Sequence, residues 1–409
     1  MPTLHIAVRN YADFVNALAE QARQFEALTP GVHVELHTSG IHDLYRSTIS
    51  DCGLRSGRFD LALLGTDWLA EGLAIGALED LAPWHARQPI PDWPTGWPPA
   101  LVRTVTRGMT LSSIPWHDGP ECLVYRSDLF ADPDLRAAFR TQHQRDLAPP
   151  ATWAEFETVA RFFTGARPGL FGTVFAAFPD GHNTLYDFAL QLWSRGGEFV
   201  DVEGLPRIDT PAAVGALDYY RRIVRDPLVC HPDSPRLDSN QSGDLFLSGN
   251  IAMMANWFGF AARSSAPGSP LHGKVAIAGV PSDGVHPSTS LTVFWSMAMG
   301  TGSREKDLAW QFLRFAAAPE RDLGLARHGA VPCRLSSWRN PELQMQIPVY
   351  RQLEAISLGS RSLPTGPRMA GFASILDNVI TQALTSDRPS LGILREAQRN
   401  IASQGLAFA

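Results

Sequence analysis

Lysine is nearly absent from this chain: Lys274 and Lys306 are the only two in 409 residues, and arginine supplies the rest of the 35 basic side chains. Against 41 acidic residues the formal charge is −6, so the basic footprint of a nucleic-acid or anionic-membrane binder is missing. Cysteine is scarce as well. Cys52, Cys122, Cys230 and Cys333 stand far apart with no Cys-x-x-Cys pair, which excludes zinc-finger spacing and a disulfide framework. Free buried thiols are expected, with a single bridge left open. No apolar run reaches the ~20 residues of a membrane helix. The chain also lacks a Gly-x-Ser-x-Gly elbow, a Walker loop and a complete Gly-x-Gly-x-x-Gly, since Gly300-Thr-Gly302 holds two glycines of three. No cofactor is implied. No leader of basic and then apolar residues is seen, because Met1-Pro-Thr-Leu-His-Ile-Ala-Val runs directly into a strand.

His33 and His37 invite a metal reading. Along one strand the two are about 13 Å apart, too far to share an ion. His-Val-Glu-Leu-His also lacks the order of a zincin helix. A solvated strand face is expected there, and no metal site.

What is present suits two α/β lobes, because 409 residues exceed one compact core. Leu4–Val8 reads as a strand, and Phe14, Leu18, Ala22 and Phe25 form a helical stripe ended by Pro30-Gly31. Val32, Val34 and Leu36 alternate with His33, Glu35 and His37 as a second strand. Phe59–Trp68 reads as a buried strand running into a polar loop. Pro150-Ala-Thr-Trp-Ala-Glu predicts a helix start with a Thr152/Glu155 capping box and Trp153 packed behind it. Thr210-Pro211 predicts another, with a cap and an N1 proline. The chain centres on Ser239–Phe260. There a helix ends near Phe246, Gly249-Asn250 turns, Ile251–Ala255 forms a fully buried strand, and a new helix opens at Asn256-Trp257.

The glycine turn, the alanine-methionine strand and the tryptophan that ends it resemble the signature of extracellular solute-binding proteins of family 1. Pro-Ala-Thr-Trp at 150–153, the Gly108–Phe130 and Gly329–Pro332 crossovers and the Pro364–Met369 loop resemble further parts of that family in its order. The resemblance implies a two-lobed, type II-like periplasmic-binding-protein fold. Each lobe would be a mixed sheet flanked by helices, and hinge crossovers would join the two. The expected lobes are 1–113 with 272–320 and 114–271 with 321–409. The implied function is capture of a mono- or oligosaccharide in an inter-lobe cleft by hinge closure, and delivery to the permease of an ABC importer. It further implies a monomer located in the periplasm or otherwise outside the cytoplasm, its signal peptide having been removed. The alternatives are a glycosidase-like enzyme with a carboxylate pair in the cleft, or the same fold binding a polyol, sugar phosphate or sulfonated sugar.

A sugar needs an aromatic ring beneath its C–H face and acceptors and donors at its hydroxyl edge. Trp257 is the expected platform, ahead of Trp116, with Trp68 and Trp295 also at strand ends or crossovers. Asp67, His117, Asp118 and Asn256 are the expected polar groups, followed by Ser39, Gly40, Asn183 and Arg368. Asp67 reads equally as a helix cap. Arg368 would suit an acidic sugar, and reads equally as a structural ion pair.

Overall fold

The computed structural model describes residues 1–406 and 408. Its contacts gather into two compact units, Met1–Gly119 with Thr292–Leu358 and Pro120–Leu291 with Gly359–Ala409. The chain therefore passes from one unit to the other three times. Segments 114–119, 272–291 and 321–358 lie in the opposite units from those expected of the sequence. Backbone pairing accounts for the first two, because 114–117 and 275–278 each hydrogen-bond to a sheet of the unit in which they sit. The third is tied in by Asp322. This buried carboxylate accepts from the amides of Cys333 and Arg334, and Arg334 in turn donates to the carbonyl of Ala317 at 2.8 Å.

The longer strands are β1 (Thr3–Arg9), β2 (His33–Ser39), β3 (Leu61–Gly65), β4 (Ile114–His117) and β5 (Glu121–Arg126). β6 (Phe171–Thr173), β7 (Ile251–Trp257), β8 (Val275–Ala278) and β9 (Trp295–Met299) follow. In the first unit the sheet order is β2-β1-β3-β9-β4. β1 runs parallel to β2 and β3, whereas β9 enters antiparallel between β3 and β4. All five β3 residues are buried, as expected of a strand covered on both faces. The helix Ala12–Leu28 turns Phe14, Ala17, Leu18, Gln21, Ala22 and Phe25 inward, the three-and-four spacing read in the sequence. Phe25 meets Phe312 and Phe315 at centroid distances of 5.2 and 5.4 Å.

In the second unit the order is β8-β5-β7-β6, with β7 antiparallel to β5 and parallel to β6. The central stretch departs from its sequence reading in one respect. β7 continues through Asn256 and Trp257, and the helix begins at Phe258. The reason is pairing across the sheet, because Asn256 and Trp257 lie opposite Cys122 and Glu121. Gly249 makes the preceding turn at φ +87°, a conformation open to glycine at little cost. Two short strands, Ser290–Leu291 and Ser360–Arg361, pair in parallel beside two of the three chain crossings. All four cysteines are free thiols, three of them buried. Among the described residues no helix is long and apolar enough to cross a membrane.

The Thr152 capping box is formed in full, with Thr152 Oγ1 accepting from the Glu155 amide and Glu155 accepting from the Thr152 amide. Trp153 behind it is 2% exposed and donates to Ser194 Oγ at 2.8 Å. Thr152→Ala should cost about 1 kcal/mol in chemical denaturation. Unchanged stability would mean that the cap contributes nothing to this helix.

Candidate solute-binding site

In the first unit, strand register gathers the predicted residues at one sheet edge. Arg9 pairs with Ser39, and Trp295 pairs with both Gly65 and His117, so the carboxyl ends of β1 to β4 and the start of β9 converge. This is where ligands sit in open α/β sheets. Asp67 and Trp68 form the tight turn that leaves β3. A Cβ on Gly65 would fall 2.6 Å from the Asp67 carboxylate, so a larger residue before this turn would displace that side chain. Gly40 opens the helix after β2 with open space around its Cα.

Side chains at this edge divide into two groups. Trp295 is half-buried and packs on Phe14 at 5.3 Å and Trp68 at 5.8 Å, with the Arg9 guanidinium 5.7 Å from its ring centre. Arg9 also lies 5.9 Å from the Tyr11 ring. Neither Arg9 nor Tyr11 was singled out from sequence, although the strand-end rule that selected Ser39 applies equally to Arg9. Trp68 is 6% exposed and supports Trp295 rather than presenting a face of its own. Trp116 is a correction. It is 3% exposed, donates to Gln21 Oε1 at 2.9 Å and packs edge-on against Phe14, so it is part of the core.

His117 and Asp118 are turned into the protein. The Val331 amide donates to His117 Nδ1 at 2.9 Å, which places the proton of the neutral ring on Nε2. Desolvation, with the Arg9 charge second, pulls His117 down to about 3, so the ring stays neutral. Asp118 is fully buried. Its Oδ1 accepts from Thr292 at 3.0 Å, while Oδ2 has no partner within the protein.

The corresponding edge of the second unit is richer in carboxyl groups. Trp257, half-buried at the end of β7, has Tyr186 edge-on at 5.4 Å, and Tyr186 meets His182 at 6.0 Å. Directly opposite Trp257 in the sheet stands Glu121, 4% exposed, with Oε2 unpartnered. Burial raises Glu121 well above the usual carboxylate range, and nearby Asp187 adds to the shift. Asp187 is raised by the same burial while accepting from Tyr220 at 2.7 Å. Asp180 accepts from the amides of His182 and Asn183, and Asp377 accepts from Thr184. Tyr186, Glu121, Asp180 and Asp187 were not legible in the sequence. Glu121 sits in a stretch read only as a crossover, and its position opposite Trp257 follows from strand register alone.

Three predicted residues of this unit are held by the protein itself. Asn256 is 3% exposed, and its amide donates to Ser239 O and Ser242 Oγ and accepts from the Trp257 amide, so it anchors the preceding helix. Asn183 is 7% exposed and donates to Asp180. Arg368 Nη1 donates to the carbonyls of Gln404 at 2.6 Å and Gly405 at 3.4 Å, tying down the end of the last helix. These contacts give Arg368 a structural role at the chain's C-terminal helix.

Two expectations follow from these contacts. Burial pushes the Asp118 carboxyl up to about 6 from the usual 3.8. A folded value above the unfolded one means that its contribution is full below the unfolded value and is lost as pH rises through the folded one. Asp118→Asn should remove that loss, raising stability at pH 7 by about 1–3 kcal/mol and flattening the pH profile between roughly 4 and 6. An unflattened denaturation profile would contradict this assignment. Arg368→Ala should cost about 1 kcal/mol of stability and leave solute affinity unchanged, as read by calorimetry.

Known proteins share the fold and family of this chain. The family described as bacterial extracellular solute-binding protein matches residues 10–321. A probable ABC transporter-binding protein of Deinococcus radiodurans is 24% identical over 321 residues, 75% of this chain and 73% of that protein. The maltose-bound MalE3 of T. maritima superposes with a TM-score of 0.86 at 21% identity, covering 99% of this chain and 100% of the other. An ABC transporter solute-binding protein of Agrobacterium radiobacter K84 in complex with ribitol gives 0.86 at 23% identity, with 98% of each chain covered. The matched family spans most of the chain, so this chain belongs to the bacterial extracellular solute-binding proteins, a transport family and not an enzyme family.

Proposed function

We propose that this protein captures a neutral sugar or polyol in the periplasm and passes it to the permease of an ABC importer. One observation carries the reading. Trp257 presents an indole at a strand end beside Glu121, a buried carboxyl group with an unpartnered oxygen. An indole face suits the C–H face of a sugar or polyol, and a desolvated carboxyl group suits its hydroxyls. Asp180 and His182 border the same surface through Tyr186 and Asn183. In the first unit, Trp295, Arg9 and Asp67 supply the corresponding ring and polar groups.

The charge of the second-unit surface supports a neutral solute. Glu121, Asp180, Asp187 and Asp377 are gathered there, and burial already disfavours the ionised form of three of them. A phosphate or sulfonate would meet the same desolvation that disfavours charge on these carboxyl groups. Relatives of the same fold were solved with maltose and with ribitol, which supports the same solute class.

Calorimetry with a panel of sugars and polyols tests the reading. One member should bind saturably, and Trp257→Ala should weaken it by about tenfold or more while the circular dichroism spectrum is unchanged. Binding of an amino acid with no response to any sugar or polyol would overturn the solute class. Full affinity in Trp257→Ala would remove the indole from the site.

A further inference from the structure

We propose a second ligand site on the first unit, a divalent transition-metal site formed by His5 of β1 with Glu35 and His37 of β2. It is separate from the residues assigned to the solute and lies on the face of the sheet rather than at its carboxyl edge. Spacing along one strand keeps His33 and His37 too far apart to share an ion. Register across strands gives a different outcome.

β1 and β2 are parallel with His5 opposite Glu35 and Ala7 opposite His37. Alternation along β2 places Glu35 and His37 on one face, and pairing brings His5 to the same face. His5 Nδ1 lies 3.1 Å from His37 Nε2 and 3.4 Å from Glu35 Oε2, and His37 Nε2 lies 3.7 Å from Glu35 Oε1. A tetrahedral ion with bonds of about 2.0–2.1 Å holds its ligands about 3.3–3.4 Å apart. The three side chains already stand near the corners of such a tetrahedron. Among the described residues this is the one group of three or more His, Cys, Asp or Glu side chains whose ligand atoms all lie within 4.8 Å of one another.

The donor set selects the metal. Two imidazoles and one carboxylate suit Zn²⁺, Co²⁺ or Ni²⁺, whereas Mg²⁺ and Ca²⁺ require oxygen ligands. All three side chains are partly exposed, at 38%, 50% and 36% for His5, Glu35 and His37, so an ion can enter and its fourth position faces solvent. The cluster is held from behind. The His5 amide donates to Asp60 Oδ2 at 2.9 Å, and the His37 ring packs on Phe59 at 5.4 Å. Arg58 is the neighbouring cation that opposes an ion here, and Glu35 offsets it. Without metal, one proton between Nδ1 and Nε2 joins the two rings. An ion would replace that single bond with three ligand bonds, clipping the edge strand β2 to β1.

The chelator-treated protein is titrated with ZnCl₂ by calorimetry and with CoCl₂ by visible spectroscopy, with MgCl₂ as the hard-cation control. The expected result is one ion bound per chain at low micromolar concentration or tighter, with the visible absorption of four-coordinate cobalt and a rise in melting temperature with zinc. His5→Ala and His37→Ala should each weaken zinc by about tenfold or more, and Glu35→Gln by less. His33→Ala, on the same strand but bound to Glu26, should leave zinc affinity unchanged. Absence of saturable zinc binding, or undiminished binding in a His5→Ala/His37→Ala double variant that retains its circular dichroism spectrum, would overturn the site.

Discussion

Strand pairing between residues far apart in the chain is the constraint on which both sheet edges depend. β9 enters between β3 and β4 after the chain has built most of the second unit, and only then does Trp295 stand beside Gly65 and His117. In the second unit β7 pairs with β5 over more than 120 intervening residues, which sets Trp257 opposite Glu121. A shift of one residue in either ladder would turn these side chains to the other face, because side-chain direction alternates along a strand. The buried hydrophobic faces of β3 and β7 fix the register, and the polar ends follow.

The carboxyl groups near these ends are costly to keep. Asp118, Glu121 and Asp187 are almost wholly removed from water, and two of them retain an oxygen with no partner in the protein. Burying a polar atom without a hydrogen bond costs free energy that packing elsewhere must offset. The aromatic groups carry no comparable cost. Trp257 and Trp295 pack against Tyr186, Phe14 and Trp68 and stay half-buried.

Much of the fold was legible before any coordinates. The Phe14–Phe25 stripe, the Thr152/Glu155 capping box and the Gly249 turn are local, and each was read at its observed position. The site was less legible. Asp67 and Trp257 were selected because strand ends have a sequence signature. Trp116 and Asn256 share that signature, yet their polar atoms are bound to Gln21 and Ser239, and Arg368, read from a loop, is bound to Gln404. No local pattern distinguishes a strand-end residue facing outward from one bound to a distant helix.

The amino-acid sequence by itself determined the α/β class, the absence of a disulfide framework and the family, because periodicity, capping chemistry and ordered motifs are properties of short segments. Tertiary structure alone decided where one unit ends and the other begins, which tryptophans face outward, and that His5, Glu35 and His37 meet. The physical reason is that register and burial arise from contacts between segments tens to hundreds of residues apart. The free energy of those contacts lies in surfaces that neither segment displays when read alone.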